Sequence, residues 1–113
     1  MSRALAKPTG DGFILLQFVI ERGPGLDVGR EMQRRVFDRF GMRNTSMIWH
    51  PDFRAKLAGG WDLRGKIEPH DERNAVRAAG SMDITVEDVA RFKAAFVRGE
   101  GLSTAARVEI TRP

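Results

Sequence analysis

A run of apolar side chains near the start of the chain, broken by a single glutamine, limits what the sequence can fold into. The run, FILLQFVI, covers Phe13–Ile20 and is followed by Gly23-Pro24-Gly25. Apolar residues in this order would lie on almost every side of a helix, which is typical of a buried helix. A strand is the alternative for so short a run, and Gly-Pro-Gly would end either element. We predict a buried helix at about Gly12–Arg22, capped by Thr9 or Asp11.

The length of the chain makes complete burial of this helix difficult. With 113 residues, the chain has room for at most one domain and one modest core. It is 42% hydrophobic and 30% charged, which indicates a folded, soluble protein. It has no cysteine, which excludes disulfides, thiolate nucleophiles and Cys-ligated zinc. An apolar helix that so short a chain cannot cover is a first indication that a packing partner lies outside this sequence.

Neither a membrane span nor a signal peptide is predicted. The longest apolar run is far shorter than the roughly 20 residues that cross a bilayer. Residues 1–8 carry charge but have no apolar core of signal-peptide length. We therefore expect no membrane partner and, for the sequence as given, a cytoplasmic location.

Three further helices follow from capping signals. Asp27 caps a helix to about Phe40, and Gly41 stands where a left-handed C-terminal cap would be. Thr85 caps the next helix, which ends at Gly99, and Asp88 stands three residues after the cap, as in a shortened capping box. Ser103 caps a last helix through about residue 110.

A small hairpin is predicted between the second and third helices. Thr45–Trp49 is partly β-branched and aromatic, and Gly60–Leu63 is a second short strand with Arg64-Gly65 as its turn. Trp61 would pack against Trp49 across the hairpin, and residues 67–77 form a polar loop. The predicted fold class is mainly α with a short β-hairpin.

The chain is basic, with a net charge of +4 and a pI of about 10.3. The densest basic cluster lies on the second helix, and its spacing places three guanidinium groups on one side: Arg30, Arg34, Arg35, Arg39 and Arg43. A solvated helix face is the ordinary interpretation of such a cluster. A surface for nucleic acid is the alternative.

No catalytic, cofactor or metal residue is predicted. No serine in the sequence has a lysine three residues later, and the serines are Ser2, Ser46, Ser81 and Ser103. Two histidines lie near carboxylates, His50 near Asp52 and His70 near Asp71, but a metal site needs three or four converging ligands. Gly10-Asp11-Gly12 lacks the spacing of a phosphate-binding loop.

Four segments, taken in order, resemble the middle of a penicillin-recognising serine hydrolase, the family of class C β-lactamases, D-Ala-D-Ala carboxypeptidases and related esterases. GDGFILLQFVIERGPGLDV is similar to the family's helix after the second catalytic motif. MQRRVFDRFGMRNTS resembles its helix followed by Gly-Met-x-x-Thr, and LAGGWDLRGK its Gly-aromatic-Asp-x-x-Gly hairpin. AAGSMDITVEDVARFKAAFVRGEGLS is similar to its Ala-Gly-x-x-x-Ser/Thr-x-x-Asp-x-Ala-Arg-Phe helix before Leu-Ser.

The resemblance implies a part of a larger enzyme. The family's reaction uses a Ser-x-x-Lys, a Tyr-x-Asn or Ser-x-Asn, and a Lys/His-Thr/Ser-Gly strand. The second motif would fall at Pro8-Thr9-Gly10, where proline offers no hydroxyl, and the other two would lie outside the sequence. We expect residues 1–9 to be an N-terminal extension. Residues 10–113 would be a partial helical subdomain of the α+β β-lactamase/DD-peptidase-like fold.

The function implied is that of a wall of the substrate cleft, inactive alone, in a parent family that is often periplasmic or extracellular. An open apolar face would bind the missing α/β domain or a second copy of the chain. Two alternatives remain, a small basic helical module that binds nucleic acid and a non-catalytic helical interaction protein. We do not expect nucleic acid as the partner, and we expect no cofactor.

Overall fold

The computed structural model describes residues 10–113. Within that range the chain forms four α-helices and two antiparallel sheets of two strands each. The helices are α1 Gly10–Arg22, α2 Val28–Met32, α3 Val86–Arg98 and α4 Thr104–Ile110, and the strands are β1 Thr45–Ser46, β2 Gly60–Trp61, β3 Ile67–Glu68 and β4 Asp83–Ile84. The predicted N-terminal extension, residues 1–9, and the Thr9 cap lie outside the described residues.

The helix predicted from the apolar run is confirmed, but its burial is not. α1 begins at Gly10 and ends at Arg22, with Gly23 donating its amide to the Val19 carbonyl at 2.9 Å. No residue of α1 is buried, and Leu15 remains 64% exposed and Phe18 57% exposed. The expectation of a buried helix is therefore wrong for this chain taken by itself, because too little other structure lies beside the helix to cover it.

α2 begins at its predicted cap and then changes its hydrogen-bond pattern. The Asp27 carboxylate accepts the Arg30 amide at 2.9 Å. From Gln33 to Phe37 the helix continues as a π-helical turn, and the Asp38 amide bonds to the Gln33 carbonyl five residues back. This wider turn lies within the helix predicted to continue to Phe40.

The turn after this helix brings together the residues of the buried core. Gly41 has φ +68°, the left-handed conformation predicted for it. The following Met42 folds back, donating its amide to the Phe37 carbonyl at 2.8 Å. Phe37, Met42 and Met47 form the buried cluster, with partly buried neighbours from the helix stripe and beyond: Met32, Val36, Phe40, Val76 and Ile84.

One strand of the β2–β3 sheet and its turn were predicted, but the partner strand β3 lies in residues 67–77, which were expected to form a polar loop. β2 pairs with β3, and Asp62 closes their turn by accepting the amides of Arg64 and Lys66. Gly65, at φ +78°, completes this turn. The Thr45–Trp49 strand is shorter than expected, since only β1 is paired, and its partner is β4, which was not predicted. Residues 51–56 form a 3₁₀ helix.

Hydroxyl caps position the last two helices. Thr85 accepts the Asp88 amide at 3.2 Å at the start of α3, and Ser103 accepts the Ala106 amide at 3.1 Å at the start of α4. Gly99 ends α3 at φ +77°. The Arg107 side chain then reaches from α4 to the Val97 carbonyl at 2.6 Å, where a cation complements the end of the helix dipole.

The described residues are more extended than a self-contained domain. Their radius of gyration is 16.7 Å, whereas about 13 Å is typical of a compact domain of this length. The buried apolar residues of this range number four, Phe37, Met42, Met47 and Ala95. None of the helices found between residues 10 and 113 is long and apolar enough to cross a membrane. The outcome is mainly helical with small antiparallel sheets, as expected of a part of an α+β fold.

Candidate functional site

Helix α1 meets the turn that precedes β4, and this contact joins the first and last of the family-like segments. The Gln17 amide donates to the Val76 carbonyl at 3.1 Å, and its oxygen accepts the Ala78 amide at 2.8 Å. A Cβ on Gly10 would lie 3.6 Å from the Cβ of Ala79. Gly10, the one described residue of the expected second motif, therefore lies beside Ala79, while Pro8 and Thr9 lie outside the described residues.

A buried serine fixes the other side of this turn. Ser81 is 1% exposed, and its hydroxyl donates to the Met47 carbonyl at 3.0 Å and accepts the Arg77 amide at 2.9 Å. Both capacities of the hydroxyl are thus used by backbone groups. Ser81 ties the segment after β1 to the turn and has no lysine or histidine bonded to it in the described chain.

Arg73 is a buried cation that sequence reasoning missed. Its guanidinium donates twice to the Ser81 carbonyl, at 2.9 and 2.6 Å, and once to the Asp71 carbonyl at 3.0 Å. It also contacts the Asp83 carboxylate at 2.9 Å. An arginine in a polar loop carries no local signal of burial, because two of its three partner residues, Ser81 and Asp83, lie eight and ten positions further along the chain.

His70 lies beside the same carboxylate. Its Nε2 is 3.0 Å from Asp83 Oδ1, close enough for an ion pair but not in hydrogen-bond geometry. Its ring lies 4.8 Å from the ring of Trp49. Sequence proximity indicated Asp71 as the neighbour, but strand β4 supplies the carboxylate. The pair borders a cleft of about 440 Å³ that Trp49 and Phe53 also line.

The second histidine and second tryptophan do not join this group. His50 is exposed, with its ring 5.4 Å from that of Phe53. Trp61 is 62% exposed and its ring lies over Gly59, while Trp49 contacts Phe53 and His70 instead. In residues 10–113 no three histidine or acidic side chains converge as metal ligands would.

Asp88 makes the second buried polar connection. Its carboxylate accepts the Asn44 amide at 2.8 Å and the Thr45 hydroxyl at 2.7 Å. It therefore holds the loop after α2 against the start of α3. The Thr85 hydroxyl accepts the Asp88 amide as expected, but the Asp88 carboxylate bonds to residues 44 and 45 instead of closing the predicted capping box. The Gly-Met-x-x-Thr segment and the Asp-x-Ala-Arg-Phe helix are in direct contact through this carboxylate.

The basic cluster on the second helix is partly neutralised. Glu31 pairs with Arg35 and, at 3.0 Å, with Arg34. The hydrogen bond from Arg35, together with the charges of both guanidinium groups, lowers the pKa of Glu31. The Arg39 guanidinium lies 6.0 Å from the Phe40 ring centre, over its own helix. This arrangement is that of a solvated, internally paired helix face.

Comparison with known proteins agrees with this layout. The family model described as Beta-lactamase matches residues 10–112. No curated protein matches by sequence. Three solved structures, all below 25% identity, share the fold. D-amino acid amidase from Ochrobactrum anthropi SV3 with D-phenylalanine is 24% identical, with a TM-score of 0.64, and the match covers 91% of this chain and 34% of that chain. The same enzyme with L-phenylalanine amide is 22% identical, with a TM-score of 0.67 and coverage of 91% and 32%, and a beta-lactamase/D-alanine carboxypeptidase from Pseudomonas syringae is 18% identical, with a TM-score of 0.66 and coverage of 88% and 28%. The chain spans about a third of their length.

Proposed function

The chain belongs to the beta-lactamase family, as its resemblance to penicillin-recognising serine hydrolases indicated, and from that premise we propose that it supplies the helical wall of the substrate cleft of a serine hydrolase. The observation that carries the proposal is the family match over residues 10–112 combined with the coverage of only a third of each solved relative. The small core and the exposed α1 support it, because both are expected of a segment separated from its packing surface.

The cleft wall would be the corner between α1 and the turn at residues 76–79. Gln17 holds this corner by two hydrogen bonds, one to the Val76 carbonyl and one from the Ala78 amide. Main-chain atoms that are held in place can position a substrate against a nucleophile that another segment supplies.

The chain alone would lack a nucleophile. A serine attacks only when a neighbouring base takes its proton, and the described serines are otherwise occupied. Ser46 accepts the Ile48 amide, Ser81 is enclosed by backbone partners, and Ser103 caps α4. The reacting serine and its lysine would come from a Ser-x-x-Lys encoded upstream, and the third motif from sequence downstream.

An activity assay of the purified chain tests this proposal. The substrates are nitrocefin for β-lactamase activity, p-nitrophenyl acetate for esterase activity, and D-phenylalanine amide, the substrate class named for one solved relative. We expect rates equal to buffer for all three. Turnover that remains after purification and disappears in Ser46→Ala or Ser103→Ala would contradict an inactive cleft wall.

The DNA sequence that flanks the coding region provides the complementary test. We expect Ser-x-x-Lys upstream and Lys/His-Thr/Ser-Gly downstream, and the extended protein should hydrolyse at least one of these substrates. Replacing the upstream serine by alanine should abolish that turnover. If the flanking DNA encodes neither motif in any frame, the proposal that this chain forms one wall of a larger enzyme is refuted.

A further inference from the structure

The outward side of α1 carries an apolar stripe with opposite charges at its two ends. At about 3.6 residues per turn, six residues share this side, and we call them the α1 stripe: Asp11, Ile14, Leu15, Phe18, Val19 and Arg22. Gln17 projects from another side of the helix and bonds to residues 76 and 78, so the stripe points away from the other described residues.

The apolar members of the stripe are open to solvent. Their exposed fractions are 40% for Ile14, 64% for Leu15, 57% for Phe18 and 55% for Val19. Neither charged end has an ion-pair partner in residues 10–113, and the Arg22 guanidinium lies 5.6 Å from the Phe18 ring centre. The stripe is thus an exposed apolar strip between a carboxylate and a guanidinium that form no ion pair within residues 10–113.

The order of residues makes the stripe complementary to itself. When two copies meet antiparallel about a two-fold axis, residue i faces residue j and residue j faces residue i. With the axis between residues 16 and 17, each carboxylate faces a guanidinium and each apolar residue faces another apolar one: Asp11 with Arg22, Ile14 with Val19, and Leu15 with Phe18. A parallel pair would instead bring Asp11 against Asp11 and Arg22 against Arg22.

We propose that a second copy of this chain covers the α1 stripe, in an antiparallel, two-fold symmetric α1–α1 pair. This goes beyond the proposed function, since it concerns the 113-residue chain by itself and requires no active site. From the exposed fractions, and taking about 200 Å² for a large apolar side chain, the stripe buries on the order of 400 Å² of apolar surface per copy. Stable interfaces bury about 800 Å² per partner, so the dimer dissociates in the micromolar range or above.

Charge reversal tests the pairing. Sedimentation equilibrium of the purified chain, from micromolar to millimolar concentration, should give a monomer–dimer equilibrium. Asp11→Arg or Arg22→Asp alone should weaken the dimer about tenfold, because two attractive pairs become repulsive. The double variant should restore the wild-type constant to within about twofold. Reversal of Glu109, an exposed residue of α4, to arginine is the matched control and should change nothing.

The double variant separates pairing from helix stability. Asp11 at the start of α1 and Arg22 at its end both favour the helix dipole. The double variant therefore weakens α1 more than either single variant, and circular dichroism should show this. Restored dimerisation in that background cannot come from a more stable helix. A double variant that dimerises no better than the single ones would overturn the proposal.

Cross-linking tests the direction of the pair, and the absence of native cysteine makes it specific. In the antiparallel pair, Asp11→Cys of one copy lies opposite Arg22→Cys of the other, while two copies of either variant keep their cysteines about 16 Å apart along the axis. Oxidation should cross-link only the mixture of the two variants. Cross-linking of Asp11→Cys with itself, or a wild-type chain that stays monomeric throughout the concentration range, would overturn the proposal.

Discussion

Replacing Arg73 by methionine should destabilise the fold more than any comparable change of a surface arginine. The Arg73 side chain is 4% exposed and its guanidinium serves three acceptors, the carbonyls of Asp71 and Ser81 and the carboxylate of Asp83. Methionine keeps most of the apolar stem but donates no hydrogen bond. The substitution therefore isolates the polar contribution of the residue.

The expected loss follows from the number of acceptors. A hydrogen bond that involves a charged group contributes about 1.5–3 kcal/mol. Arg73 makes such contacts to three acceptors, and side-chain entropy changes this difference little, because methionine and arginine lose similar rotamer freedom on folding. Contacts that share one guanidinium are not additive, so we expect the ~3–5 kcal/mol typical of breaking a buried ion pair from one side. Most of this cost arises because Asp83 stays in place without its cation.

Urea denaturation followed by circular dichroism measures this loss as a lower midpoint at an unchanged slope. The matched control is Arg54→Met, since Arg54 pairs with Glu72 at a site where the two side chains are 66% and 48% exposed, and it should cost less than about 1 kcal/mol. Asp83→Leu combined with Arg73→Met should recover part of the loss, because an apolar pair leaves no buried charge. Equal costs for Arg73→Met and Arg54→Met would refute the reasoning.

Three further predictions concern the contacts that join the segments. Asp88→Ala should cost ~2–4 kcal/mol in thermal or urea unfolding, because two donors in residues 44 and 45 lose their acceptor, whereas Thr85→Ala, which removes only the neighbouring helix cap, should cost ~1 kcal/mol. Gly29→Ala should destabilise the fold because its Cβ would lie 2.8 Å from Val76 Cγ2, and adding Val76→Ala should relieve most of the loss; a double variant worse than Gly29→Ala would exclude this contact as the cause. Glu31 has a pKa lowered by Arg35 and Arg34, so its contribution to stability is full above the ordinary pKa of a glutamate and is lost as pH falls through the lowered value of the folded state; the pH dependence of the unfolding midpoint should become flatter in this range in Glu31→Gln, and an unchanged pH dependence would contradict this contribution.

The elements that were predicted correctly depend on neighbours close in sequence. Asp27, Thr85 and Ser103 cap helices by bonding to amides three residues ahead, so the sequence contains both partners of each bond. Gly41 and Gly99 take positive φ at helix ends for a similarly local reason. The family resemblance was also available from sequence, because it depends on the order and spacing of four segments.

The features that were missed depend on residues distant in sequence. Strand β4 exists because Asp83 and Ile84 pair with residues 45–46, almost forty positions earlier. The burial of Arg73 and the pairing of His70 with Asp83 both follow from that strand, so they could not be inferred from the polar loop that contains them. The exposure of α1 was indicated by the shortness of the chain, but the local pattern alone predicted a buried helix.

Buried polar contacts select this arrangement of the chain over others, while its exposed apolar surface would add stability only if a partner covered it. The connections between distant segments run through Gln17, Arg73, Ser81 and Asp88, whose partners must be placed correctly or remain unsatisfied. Such groups penalise wrong arrangements strongly, because leaving one of them buried and unpaired costs more than the net stability that its hydrogen bonds add. The larger apolar contribution is mostly unused, since α1 buries none of its residues within the chain. A surface that covers α1 binds the folded state alone, so it raises stability by mass action, whether it belongs to the rest of an enzyme or to a second copy.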